Sequence, residues 1–262
     1  IGVAEAAYQH SLAYAIDRKQ GKAGGTGTIA EHADVRRMLA SMKADIFTAR
    51  AISLANAVAI DMSNATGDAG WKARAALLTP ISKAFGTDIG VEITSTGIQT
   101  HGGMGFIEET GAAQYARDVR VTTIYEGTNG IQAMDLVARK MMDGGDAAFA
   151  LLDEIEAAAE AAKAAMPDLA ELVWQAAETL RETTEWLVTQ DMNDRFAGAV
   201  PYLRAFARVL GGHYHLTAAL QGDGTRKRLA TFYIKRILPE HAGLLAHVRE
   251  GGDDLMAITL ND

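Results

Sequence analysis

Apolar residues recur at steps of three and four along nearly the whole chain, and the two-residue alternation of strands is almost absent. That period predicts helices. The first is read over 2–20, and the second over 31–64, beginning in "IAEHADVRRML". A third opens at Thr79-Pro80, a cap followed by proline at the first helical position, and runs to about 101. A fourth, 129–142, is expected to turn Ile131, Met134, Leu136 and Val137 inward. After the break "DGGDAA", further helices are read at 147–165, 168–190, 195–221 and 225–250. In 168–190, Leu169, Leu172, Val173, Ala176, Leu180 and Leu187 form one stripe. Pro201 either kinks the helix at 195–221 or marks its start. The final "DDLMAITLND" reads as a docked or frayed tail.

Two stretches escape the period. "GKAGGTGT" (21–28) reads as a flexible connection. Residues 102–127 are punctuated by glycine and read as mostly irregular, and long irregular inserts often carry function. The fold class is all-α, as two antiparallel helical bundles split near 143–146, with domains 1–143 and 144–262.

Composition narrows the function. At 262 residues the chain can bury a core, and 48% hydrophobic against 22% charged residues is an ordinary globular balance. A net charge of -8 argues against a nucleic-acid-binding surface. The absence of cysteine excludes disulfides, thiolate catalysis and cysteine-ligated metal. No apolar run approaches the ~20 residues of a membrane span. The chain opens on "IGVAEAAYQH" as if already inside a helix, which suggests a piece of a longer protein.

Several candidate sites have a plain structural reading. "GGMGFIEETG" has no preceding strand and no βαβ context for a dinucleotide fingerprint. His101-Gly102-Gly103 has no G-x-S-x-G partner for esterase chemistry, so a helix-ending turn is the simpler reading. No H-E-x-x-H occurs, and His213 and His215 are two apart on a helix, so no metal site is expected. Glu108-Glu109 and Asp253-Asp254 read as solvated acids, and Arg117-Asp118 with Arg120 as a structural ion-pair group anchoring the loop. Glu126 has two readings. One is an acid near a helix N-terminus, favoured by about 0.3–1 kcal/mol. The other is a general base whose apolar neighbours Ile124 and Tyr125 exclude water and raise its pKa.

Together these stretches resemble the acyl-CoA dehydrogenase family. "GIQTHGGMGFIEETGAAQYARDVRVTTIYEGTNGIQAMDLVARK" (97–140) resembles the family's C-terminal signature without gaps. "YAIDRKQGK" (14–22) and "HADVRRMLASMKADIFTAR" (32–50) resemble the first two helices of the same domain. The likeness covers roughly 1–143 and implies the antiparallel four-helix C-terminal domain of an FAD enzyme, without its N-terminal helical domain and middle β-barrel. The segment after 143 resembles the extra helical region of the larger branch of the family, whose members often form dimers.

The resemblance implies α,β-dehydrogenation of an acyl-CoA thioester. Glu126 would be the base that abstracts the α-proton, with hydride passing to flavin. Tyr125 and Gly127 would line the substrate site. Arg18, Gln20, Gln99, Gly102, Gly103, Thr128 and Asn129 would contact FAD, Arg18 and Gln20 reaching that of a neighbouring subunit. Gly130 stands where many relatives carry glutamine, so that contact is expected to be missing. The implied partners are acyl-CoA, an electron-transfer flavoprotein and a second copy of the chain, in the cytoplasm, with no nucleic acid and no membrane span. The alternatives are a DNA-binding alkylation-response relative, which would use the basic cluster at 226–236, and a non-catalytic helical assembly module. Alone, the chain is expected to bind little flavin and turn nothing over.

Overall fold

The three-and-four spacing is realised as helix along almost the whole chain. The computed structural model describes residues 1–22 and 24–260, and among them there is no strand, only an isolated bridge between Lys19 and Thr28. The helices are α1 (Gly2–Asp17), α2 (Ala33–Thr66), α3 (Ala69–His101), α4 (Gly103–Phe106), α5 (Ala112–Arg120), α6 (Asn129–Val137) and α7 (Asp146–Ala162). They continue as α8 (Pro167–Thr189), α9 (Met192–Ala197), α10 (Ala199–Gln221), α11 (Gly224–Arg236), α12 (Glu240–Val248) and α13 (Asp253–Ala257). Among the described residues no helix is long and apolar enough to cross a membrane.

Two compact units share these helices. The first takes residues 1–50 and 86–126, the second 51–85 and 127–262.

In the first unit, α1 buries a stripe of small residues, Ala4, Ala7, Ser11 and Ala15. Small side chains let α3 come close: a Cβ on Gly97 would lie 3.1 Å from Ser11 Oγ, while that hydroxyl donates to Ala7 O at 2.7 Å. The stretch 102–127, expected to be irregular, is mostly short helix: α4, α5 and two 3-10 turns. Each piece is too short to show a hydrophobic period. The loop at 21–28 is not a loose tether where it is described. Thr26 donates from its hydroxyl to Glu31 at 2.8 Å and the backbone of Ile29 donates to Arg18 O at 2.8 Å, closing the loop at its base.

In the second unit α10 is the central helix. Leu203, Phe206, Val209, Leu210 and Leu216 are buried, as is Tyr202, whose hydroxyl shares a hydrogen with Thr184 Oγ1 at 2.7 Å. Helices α6, α7, α8, α11 and α12 pack around it. The predicted stripe of α8 is buried except for Leu172, at the rim with 37% exposure.

The third helix begins eleven residues before the predicted Pro80 start, at Ala69. Its cap is Asp68, whose Oδ1 accepts Trp71 N–H at 2.9 Å. Pro80 lies inside the helix and leaves a carbonyl one turn back without its usual N–H. The cost, about 3 kcal/mol, is offset by burial of Leu77, Leu78 and Ile81, each contributing about 1.5–3 kcal/mol. Removing the cap in Asp68→Ala is expected to lower unfolding free energy by about 0.5–2 kcal/mol, read by urea denaturation.

Other boundaries shift for local reasons. The segment 195–221 begins its long helix at Ala199, which puts Pro201 in the first turn, where a missing N–H costs nothing. The preceding α9 is capped by Asp191, which accepts Asn193 N–H at 2.8 Å. The segment 225–250 is broken ahead of Pro239 into α11 and α12. The fourth helix stops at Val137, with Ala133, Leu136 and Val137 buried, but Ile131 is 55% exposed, contrary to the expected inward placement. In the tail, Leu255, Met256, Ile258 and Leu260 are exposed rather than docked, and 261–262 lie outside the described residues.

Candidate functional site

The turn that carries Glu126 is made by two incompatible chain ends. The 3-10 turn at Val121–Thr123 closes with Tyr125 N–H donating to Val121 O at 3.1 Å. Three residues later α6 must begin, with Thr128 as N-cap: its Oγ1 accepts Ile131 N–H at 3.4 Å. Between them the chain reverses through left-handed backbone at Glu126 (φ 54) and Gly127 (φ 86). Glycine adopts that region freely, whereas a residue with a Cβ pays for it, by about 1–3 kcal/mol. Glu126 is the one non-glycine residue with positive φ among those described. Strain of this kind persists where surrounding bonds over-determine the turn.

In the second unit those bonds come from Lys83 on α3. Its ammonium donates to Gly127 O at 2.7 Å and to Asn129 Oδ1 at 2.8 Å, while Asn129 Nδ2 donates to Ala84 O at 3.2 Å. Both ends of the Asn129 amide are therefore engaged inside the chain. Lys83 was not singled out from the sequence. Its only signal is one cation in the apolar run "LLTPISKAF", which does not reveal its acceptor 44 positions away. Lys83→Met would remove both bonds, one of them exposed, and is expected to cost about 1 kcal/mol, checked by chemical denaturation beside the parent chain.

The apolar walls expected around Glu126 are not supplied by its two neighbours. Ile124 and Tyr125 are 53% and 51% exposed, and Glu126 itself is exposed.

A second group of candidates lies at the C-terminal end of α3. Gln99, Gly102 and Gly103 are exposed, and Gly102 N–H donates to Gln99 O at 3.1 Å. Gly102 has φ 61 and ψ −138, which a side chain disfavours. A Cβ on Gly102 or Gly103 would meet nothing within 4 Å, so the bare backbone is open to a ligand. On the inner side Gly105 is closed: its Cβ would lie 2.2 Å from Ile98 O. Arg18 and Gln20 stand elsewhere, just beyond α1, exposed, with Gln20 O held by His32 Nε2 at 2.8 Å and Arg18 O by Ile29.

Two expectations about charged residues change. Arg117 pairs with Glu108, not Asp118, through two parallel bonds of 2.8 and 2.7 Å, because one helical turn separates 117 from the loop that carries Glu108. Both partners are more than half exposed, so the pair orients the loop more than it stabilises it. Arg120 instead donates to Thr123 Oγ1.

A helical domain with a strained acid ahead of α6 and an open glycine turn after α3 defines a class of protein, and comparison identifies it. The family described as acyl-CoA dehydrogenase, C-terminal domain, matches residues 1–142, and one described as acetyl-CoA dehydrogenase C-terminal like matches 151–259. The chain belongs to the acyl-CoA dehydrogenase family. It is 35% identical over 287 aligned residues to a 3-methylmercaptopropionyl-CoA dehydrogenase of Ruegeria pomeroyi, covering 99% of this chain and 49% of that protein. A butyryl-CoA dehydrogenase of Syntrophomonas wolfei is 36% identical over 149 residues, 53% of this chain and 24% of its own length. The fold is shared with an acyl-CoA dehydrogenase of Bacillus anthracis complexed with FAD, at TM-score 0.75 and 20% identity, over 100% of this chain and 48% of that one. The chain thus spans about half the length of the Ruegeria relative.

Proposed function

We propose that the chain is the C-terminal half of an FAD-dependent acyl-CoA dehydrogenase that converts an acyl-CoA thioester to the trans-2-enoyl-CoA. The observation that carries this is Glu126 in left-handed backbone inside an intact "YEGT", followed by Gly127, whose carbonyl Lys83 holds. Residues 1–143 form the family's C-terminal domain and 144–262 a helical extension. The two separate family matches support that division.

The α-proton of a saturated thioester is weakly acidic. A Glu126 carboxylate oxygen takes it, while the Glu126 backbone N–H donates to the thioester carbonyl and lowers the cost of charge building there. Gly127 leaves room for the thioester and Tyr125 lines its side. The bound flavin supplies the electron sink for the β-hydrogen. The open backbone at Gly102 and Gly103 suits a dinucleotide, and Gln99, Gly102 and Gly103 would hold its adenosine end. Thr128 keeps a hydroxyl hydrogen to offer on the base side, and Asn129 works through Lys83 and α3. Arg18 and Gln20 serve the cofactor of a second copy. The walls that dry Glu126 come from the remainder of the polypeptide. An electron-transfer flavoprotein takes the electrons onward, and the assembly is a cytoplasmic homodimer or higher homo-oligomer.

The test is anaerobic mixing of the complete flavin-loaded polypeptide with a panel of acyl-CoAs. Butyryl-CoA and 3-methylmercaptopropionyl-CoA are included because relatives are named for them. Loss of the oxidised-flavin absorbance with at least one is expected; none across the panel would sink the reading. A second reading, duplex DNA binding, is favoured by one observation: Lys227, Arg228, Lys235 and Arg236 are all exposed on α11. A salt-dependent gel shift would support it.

A further inference from the structure

Half-buried His10 on α1 and buried His101 at the end of α3 meet in the first unit, next to the glycine turn. Their ring centroids are 4.6 Å apart with a 54° tilt. Tyr14, also on α1, lies 4.5 Å from His101, and Tyr115 on α5 lies 6.0 Å from His10. The residues of α4, Gly103–Phe106, offer no titratable group. His101 Nδ1 stands 2.7 Å from Gly97 O, which can only accept. Nδ1 therefore carries the hydrogen, and Nε2 of the neutral ring is a bare acceptor. That Nε2 and the Nδ1 of His10 are both buried without a hydrogen-bond partner.

We propose that His101, in its neutral form protonated on Nδ1, is a positioning residue for the Gly102–Gly103 turn, and that a proton added to His101 releases the turn and weakens cofactor seating. This rests on the reading of that turn given above. With Nδ1 already donating to Gly97 O, a proton arriving at His101 must settle on Nε2, which is buried and has no hydrogen-bond partner. The charged ring must therefore rotate or shift the end of α3. Rotating His101 gives up Gly97 O, and Gly102 follows directly in a conformation fixed by its bond to Gln99 O.

Burial holds His101 below the ordinary histidine range, the Gly97 carbonyl opposes this, and His10 lowers it further. The displaced form thus binds the proton more tightly than the seated one. Seating is complete above the ordinary value near 6.5 and is lost as pH falls below it.

The experiment measures the dissociation constant of FAD for the complete polypeptide between about pH 5.5 and 8, alongside His101→Asn. Asparagine keeps an amide donor for Gly97 O and cannot titrate. In the parent protein, affinity should weaken towards tenfold per pH unit below about 6.5, and the variant should lack that component. An equal slope in both, or a flat profile in the parent, overturns the proposal. If the variant fails to fold, ring-nitrogen NMR of the parent decides. A His101 that is protonated on Nε2 when neutral, or that titrates at or above 6.5, overturns it. Flavin binding without the pH dependence sinks this inference alone, whereas no binding at any pH sinks the cofactor reading as well.

Discussion

Glu126→Gln in the complete polypeptide is expected to slow flavin reduction by acyl-CoA about 10²- to 10⁴-fold while leaving flavin binding unchanged. Glutamine has the same length and carries the same left-handed backbone cost, so the turn, its Lys83 clamp and the Thr128 cap all stay. What disappears is an oxygen able to take a proton. Stopped-flow absorbance at the oxidised-flavin band, with a fixed excess of the best acyl-CoA from the panel, reads the rate directly. A variant that reduces as fast as the parent would remove Glu126 from the mechanism and return it to the plainer role of an acid ahead of a helix.

Glu240→Gln is expected to cost about 2–4 kcal/mol of stability, measured by denaturant unfolding. Arg208 on α10 is 3% exposed and donates to Glu240 Oε2 at 2.6 Å, while Arg204 donates to Oε1 at 2.6 Å. The Arg208 guanidinium also lies 5.3 Å from the Phe85 ring. Neutralising Glu240 removes the negative charge that both guanidinium groups share. The expected loss sits below the full value for a buried pair because the Glu240 side chain is 36% exposed. Burial alone would raise the Glu240 pKa. The Arg208 charge and the Arg204 hydrogen bond outweigh it and hold the carboxyl below its ordinary value of 4.5. The unfolded chain therefore binds this proton more readily, and the stabilisation is present above about pH 4.5 and lost as pH falls through the lower folded value. The parent should lose more stability than Glu240→Gln on acidification below about 4.5, and equal acid sensitivity in both would refute the assignment.

Particular residues mark how far the sequence could be read. The α8 stripe at Leu169, Val173, Ala176, Leu180 and Leu187 was legible because one helix face carries it, and all five are buried. Asp68 was missed as a cap because Pro80 offers a louder start signal, which burial of Leu77, Leu78 and Ile81 overrides. Ile131 fits the apolar period of α6 yet faces out, because a period gives a face but not what covers it. The candidate acid and the glycine turn were visible as a resemblance in "GIQTHGGMGF" and "YEGTN", whereas nothing local to Lys83 or His10 points to their partners.

By itself the sequence determined that the chain is helical, which faces are apolar, and which family it belongs to. These properties are written in residues three or four apart or in contiguous motifs. Only the tertiary structure decided that Lys83 holds the turn beside Glu126, that His10 meets His101, and that Arg208 is buried against Glu240. Each of these joins residues 32 or more positions apart, where the free energy of contact depends on how the helices pack and not on any local pattern.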